Sequence, residues 1–184
     1  SRDESIVRRL AHRPGPLVGS ACGGLASATG LAAALCALTF SASASADADF
    51  VAWGSNTAGQ LTLPQTPSAI LRIANGLNHA AVLSVDQSVA CWGSHQYGQS
   101  TVPSGLGSVA EVECGHYHTV ARTASGLVIA WGNNISGQCN VPATLGPALA
   151  ISAGGSFTAA IKANGTVACW GANLSGQCNV PGTL

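Results

Sequence analysis

The chain has 184 residues and a formal net charge of zero; only 8% of its residues are charged, and 23 are glycine. A composition so poor in charge, with mostly small apolar side chains, excludes an ordinary helical bundle. The length allows one domain of moderate size with a real core.

The N-terminal residues read as a targeting segment. Arg2, Arg8, Arg9 and Arg13 precede an uncharged stretch from Leu17 to Phe40 that contains "LAAALCALTF". Ala44-Ser45-Ala46 then offers the small residues that a signal peptidase accepts, with Asp47 following. Residues 1–46 are therefore expected to be a signal peptide cleaved after Ala46. The rival is an uncleaved N-terminal membrane segment, because the stretch exceeds the ~20 residues that span a bilayer. Neither Cys22 nor Cys36 follows a convincing lipobox. Both alternatives imply export, either secretion or display at the cell surface; membrane attachment is expected only if the segment stays uncleaved.

Four of the seven basic residues fall in that leader. Arg72, Arg122 and Lys162 remain against Asp47, Asp49, Asp86, Glu111 and Glu113, so the region from 47 to 184 is mildly acidic. Without a Lys/Arg stripe to neutralise phosphates, nucleic-acid binding is not expected.

From residue 47 onward the chain repeats itself. Trp53, Trp92, Trp131 and Trp170 stand at a constant spacing of 39 residues, each followed by glycine: Gly54, Gly93, Gly132 and Gly171. Gly-Gln pairs follow, ending in Gln60, Gln99, Gln138 and Gln177, and then prolines at Pro64, Pro103, Pro142 and Pro181. A second glycine (Gly76, Gly115, Gly154) precedes His79, His118 and Phe157 by three residues. Between these landmarks lie short apolar or alternating runs, "AILRIA", "HAAVLSV" and "SVACWG" in the first unit, separated by turn signals at Asp86-Gln87, Ser125-Gly126 and Asn164-Gly165. No sustained i, i+3, i+4 stripe supports a helical repeat.

Four strands of about 5 to 6 residues with connections of about 2 to 6 add up to roughly one such unit. The fold expected for residues 47–184 is thus all-β: a β-propeller of four-stranded blades with a 39-residue repeat, of which about three and a half blades are present. Each Trp is expected to pack between blades, with the next Gly leaving room beside it. In "WGNNISGQ" Asn134 is expected to bond the turn backbone, as Asn56 and Asn173 would in their own units. The proline is expected to end an outermost strand. Asn164-Gly165 is expected to make a two-residue hairpin turn with positive φ.

The pattern W-G-x-N-x-x-G-Q-x-x-V-P, then G-x-x-H, then a hairpin returning to W-G, resembles the repeat of the regulator of chromosome condensation superfamily from Phe50 to Leu184. Its short blades, "GQ-x-x-VP" and export signal look most like the secreted bacterial branch typified by β-lactamase inhibitor protein II. The resemblance implies a ring of about seven blades. Closure would then need blades missing from this sequence, expected to be truncated at its C-terminus, or self-association of two half-rings.

Positions identical in every unit serve the frame, whereas positions that vary are free for recognition. Two loops vary: the one after W-G (Ser55–Ala58, Ser94–Tyr97, Asn133–Ser136, Ala172–Ser175) and the one after the second glycine ("LNH", "HYH", "GSF"). The second is similar to the surface by which the inhibitor branch grips its partner. On that resemblance Asn78, His79, His116, Tyr117, His118, Ser156 and Phe157 are the candidate contacts, with Tyr117 and Phe157 the rigid anchors. For His79 and His118, which share one repeat position, the alternative is a role in tying down the loop.

No chemistry competes with binding. His116-x-His118 offers half of a metal site at best, and no third ligand is evident. There is no G-x-S-x-G, no recurring carboxylate pair and no phosphate loop. No metal, no cofactor and no enzymatic activity is expected. Cys91, Cys114, Cys139, Cys169 and Cys178 follow the leader; Cys169 and Cys178 are able to meet across one turn as a disulfide or to remain small buried hydrophobes. The expected function is an exported protein- or ligand-binding propeller acting through one loop-lined face. Its alternatives are a structural module of a larger cell-surface protein and an enzyme with catalytic residues on missing blades.

Overall fold

The computed structural model describes residues 52, 54–62 and 69–182. The leader, its boundary at residue 46, Trp53 and Pro64 lie outside the described residues.

Three antiparallel sheets follow one another along the chain. The first holds β1 (Ile70–Asn75), β2 (His79–Ser84) and β3 (Val89–Gly93). The second holds β4 (Val109–Cys114), β5 (His118–Thr123) and β6 (Val128–Gly132). The third holds β7 (Ala148–Ala153), β8 (Phe157–Lys162) and β9 (Val167–Gly171). In each the strands pair in chain order, and corresponding residues pair in every sheet: Ala80 with Trp92, Thr119 with Trp131, Thr158 with Trp170. The first strand of each sheet carries a one-residue bulge, between Ile70 and Arg72, Val109 and Glu111, and Ala148 and Ala150. It leaves Leu71, Ala110 and Leu149 exposed to solvent.

The sheets pack face to face in sequence, as propeller blades do. Trp131 of β6 is buried with Ala74, Ala81 and Leu83 of the first sheet and Val109, Val112 and Ala121 of its own. Trp170 repeats this one sheet on, with Val120, Val128 and Ile151. Burying an indole removes roughly 150–250 Å² from water, about 4–6 kcal/mol at ~25 cal/mol per Å². That makes the tryptophans the largest single contributions to each junction. The central strands bury small residues (Ala80, Ala81, Ala121, Ala160), which leaves room for the indoles. On the first strands, Glu111 of β4 ties three sheets together: its carboxylate meets Arg72 of β1 at 3.0 Å and Arg122 of β5 at 3.0 Å, and accepts the Ile151 N–H of β7 at 3.2 Å.

Two expectations are corrected. A fourth strand per blade does not occur among the described residues. The W-G to proline segment instead spends its backbone bonds locally: Gly98 N–H to His95 O and Thr101 N–H to Gly98 O, then likewise Gly137 to Asn134 and Asn140 to Gly137. No run of groups is left there for a ladder, and Pro103, Pro142 and Pro181 sit in turns or irregular chain, not at strand ends. The hairpin turns have three residues rather than two. Ser84 N–H bonds Ser88 O, and only the third residue has positive φ: Gln87 (67°), Gly126 (86°) and Gly165 (83°). Asp86 and Asn164 cap them, each accepting from the backbone and hydroxyl of the residue two ahead.

Candidate binding face

Each sheet ends on the same side with the loop between its first two strands and the turn that follows its tryptophan. The frame beneath these loops is rigid. The carbonyl of the loop's middle residue accepts an N–H from the turn: Ser94 to Asn78 (2.7 Å), Asn133 to Tyr117 (2.8 Å) and Ala172 to Ser156 (2.8 Å). The glycine after Trp92, Trp131 and Trp170 is required by this approach. A Cβ on Gly132 would stand 2.7 Å from Tyr117 O at φ +106°, and one on Gly171 2.7 Å from Ser156 O at φ +108°. Successive loops also bond one another across the sheets, Leu77 N–H to His116 O and His116 N–H to Gly155 O.

The turn is held from inside by its glutamine. Gln60, Gln99 and Gln138 are buried, and their Oε1 atoms accept from Ala58, Tyr97 and Ser136 N–H. The asparagine expected to bond the turn does so: Asn56, Asn134 and Asn173 accept from Leu61, Cys139 and Cys178 N–H at 2.8–2.9 Å. Each glutamine carbonyl then receives the indole N–H of the next unit, from Trp92, Trp131 and Trp170 at 2.8, 3.0 and 3.0 Å. In the last turn Cys169 and Cys178 form a disulfide with a Cα separation of 5.0 Å, inside the range such bonds require.

The frame satisfies much of the loop backbone, and Asn133, Asn134 and Asn173 spend their side chains on the turns. Asn78, Tyr117 and Ser156 are partly exposed and His116 is exposed. Tyr97, from the other variable loop, meets Tyr117 edge-on with ring centroids 5.5 Å apart, and His116 stands 6.3 Å from Tyr117. Tyr97 is 40% exposed. At neighbouring turn tips Ile135 is 84% and Leu174 101% exposed. None of the charged residues among those described lies in these loops: Arg72, Glu111, Glu113 and Arg122 are on strands, and Asp86 and Lys162 are at the opposite hairpins. That opposite end holds an open groove of about 500 Å³ lined by Leu127, Val141 and Pro142 among others.

His79 and His118 are corrected: they do not belong to the face. They are 2% and 0% exposed, and each Nε2 lies 3.0 Å from a threonine hydroxyl of the next sheet, Thr119 or Thr158. Those hydroxyls donate to Gln99 O and Gln138 O, so they accept from the rings, which fixes the Nε2–H tautomer. Burial first, then a neighbouring histidine, pushes both rings down to about 4, so they are neutral at pH 7. The two histidines of His116-x-His118 are divided, His116 in the loop and His118 inside, and do not form a metal half-site. Phe157 takes the same position in the third sheet and is half-buried against Gly154. Tyr97, Ile135 and Leu174 lie in the other variable loop and are exposed, but are not among the candidate contacts named from the sequence. The signal was there in the repeat: Tyr97 stands where the other units have Ala58, Ser136 and Ser175.

Among the described residues no group of three or more His, Cys, Asp or Glu side chains is placed to hold a metal ion, and no helix is long and apolar enough to cross a membrane. The arrangement is a set of rigid, charge-free loops on stacked sheets, without a catalytic constellation among the described residues.

Residues 109–138 and 149–177 match the family described as the regulator of chromosome condensation (RCC1) repeat. The chain is similar to the ectodomain of the Physcomitrella patens receptor kinase CR4 (23% identity, TM-score 0.60), covering 72% of this chain and 38% of that one. It is similar also to the CRINKLY WD40 ectodomain of the Arabidopsis thaliana receptor kinase ACR4 (21%, TM-score 0.57; 73% and 47% covered). A third similar structure is Prp20p of Saccharomyces cerevisiae (18%, TM-score 0.55; 66% and 41% covered), whose binding to Gsp1p and histones was characterised with it. No curated protein matches the chain. The chain spans less than half the length of these three structures. It has a β-propeller fold related to that of the RCC1 repeat proteins.

Proposed function

We propose that this chain is an exported, non-catalytic repeat protein that binds a protein partner through the loop face carrying Tyr97, Tyr117 and His116. The observation that carries this is the meeting of Tyr97 and Tyr117, from two different variable loops, on a backbone with its own bonds already made. Rigid rings on a fixed scaffold bury much area at small entropic cost. The Arg-bearing leader and Ala44-Ser45-Ala46 support export. Prp20p, with its binding to Gsp1p and histones, is a precedent for macromolecular recognition on this fold. The two receptor-kinase ectodomains favour a second reading, a module of a larger cell-surface protein. Closure of the ring then comes from further repeats or from a second copy. Within the first reading, the secreted inhibitor branch makes a β-lactamase the first partner to try.

The test is capture of partners by the exported protein. Tyr97→Ala with Tyr117→Ala should abolish capture, while Leu127→Ala in the opposite groove should leave it intact. Unchanged capture by the tyrosine pair would overturn the proposed face.

A further inference from the structure

We propose that the two buried histidine–threonine pairs, His79–Thr119 and His118–Thr158, are an acid-sensitive latch between neighbouring sheets, shut while the rings are neutral and opened when they are protonated. This goes beyond the binding reading and does not depend on what the face binds.

The geometry leaves each ring one place for a second proton and nothing there to receive it. Nε2–H already donates to the threonine hydroxyl at 3.0 Å, and that hydroxyl has given its proton to a glutamine carbonyl at 2.8 or 2.9 Å. Nδ1 of both rings is buried without a hydrogen-bond partner. It faces the glycine that opens the loop, Gly76 or Gly115, packed so closely that a Cβ there would strike the ring. Protonation would therefore bury a charged ring with an orphan N–H, which a closed junction does not tolerate.

The surrounding groups offer little relief: the backbone of His118 favours the charged form of the His79 ring, but burial and the charge of His118 outweigh it. The charges that act on the rings are those of other histidines, His118 on His79 and His116 on His118, so a proton on one opposes a proton on the next. Cys114, whose thiol lies 4.0 Å from the Thr119 hydroxyl, is held well above the ordinary thiol range by burial and stays neutral. Glu111 and Glu113 are engaged with Arg72 of β1, and Glu111 also with Arg122 of β5. The two carbonyls that accept from the threonines also accept the indole N–H of Trp131 and Trp170, so opening the latch exposes the indoles.

The third sheet supplies a control, because Phe157 fills the same position with a ring that does not titrate. On the full chain, indole fluorescence and near-UV circular dichroism would be followed from about pH 7.5 to 3.5. The wild type should lose its tertiary signal in a cooperative step below about pH 6 and regain it on return. The double variant His79→Phe/His118→Phe should hold that signal to a pH lower by about one unit or more. A wild-type signal unchanged at about pH 4, or a variant with the same midpoint, would overturn the latch. Ring resonances of the wild type give a second reading that needs no variant. Proton uptake by His79 and His118 should coincide with loss of the tryptophan signal; uptake with that signal intact would also overturn it.

Discussion

The interior of the sheet junctions and the loop face above them are built from the same repeat and obey opposite rules. Inside, corresponding residues make corresponding bonds: Trp131 and Trp170 to a glutamine carbonyl, His79 and His118 to a threonine. On the face, corresponding positions differ in chemistry, Tyr97 against Ala58 and Ser136, and their side chains are turned outward. Repetition marks what holds the sheets, and variation marks what is free to recognise. The distinction fails at the position of His79 and His118, which varies, with Phe157 in the third unit, and yet is buried in the junction for both histidines.

The comparison breaks first at a tryptophan. Trp131→Ala should cost about 3–5 kcal/mol in chemical denaturation, from the cavity and the bond lost to Gln99 O. Acid should come next. The folded-state pKa of His79 and His118 lies below the ordinary value, so nothing is lost above pH 6.5, where both states are neutral. As pH falls from 6.5 to about 4 the unfolded chain takes up protons that the folded chain refuses. Stability should drop by on the order of 3 kcal/mol per ring, and denaturation midpoints at successive pH values measure it.

The cysteines sharpen the comparison between units. Cys139 sits where Cys178 does, but Ala130 replaces the partner that Cys169 provides. Ala130→Cys should create a second bridge under oxidising conditions and raise stability by about 2–3 kcal/mol, with loss of one free thiol as the direct readout. Smaller still, Gln87 is the one non-glycine residue with positive φ among the described residues, at a position where the other sheets use Gly126 and Gly165. Gln87→Gly should stabilise by up to about 1 kcal/mol, seen as a modest rise in thermal midpoint. Tyr117→Ala, on the face, should change stability by no more than about 0.5 kcal/mol.

Much of this was legible in the sequence. The spacing of Trp, Gly and Gln located the two junctions between the described sheets, because a residue wedged between sheets must recur whenever a sheet does. The asparagine of the turn was legible for the same reason. The fourth strand was misjudged since a length sum cannot tell a strand from two successive turns; Gly98 and Gly137, at φ +78° and +80°, decide for turns. The burial of His79 was hidden because its partner, Thr119, lies 40 residues away on another sheet. Adjacency in the loop pointed outward, whereas the start of a central strand points in.

The most direct test sets Trp131→Ala beside Tyr97→Ala/Tyr117→Ala in thermal unfolding at neutral pH. The frame-and-face account predicts that the first loses roughly 10 °C or more while the second stays within about 2 °C of the parent. Equal losses in the two would contradict it.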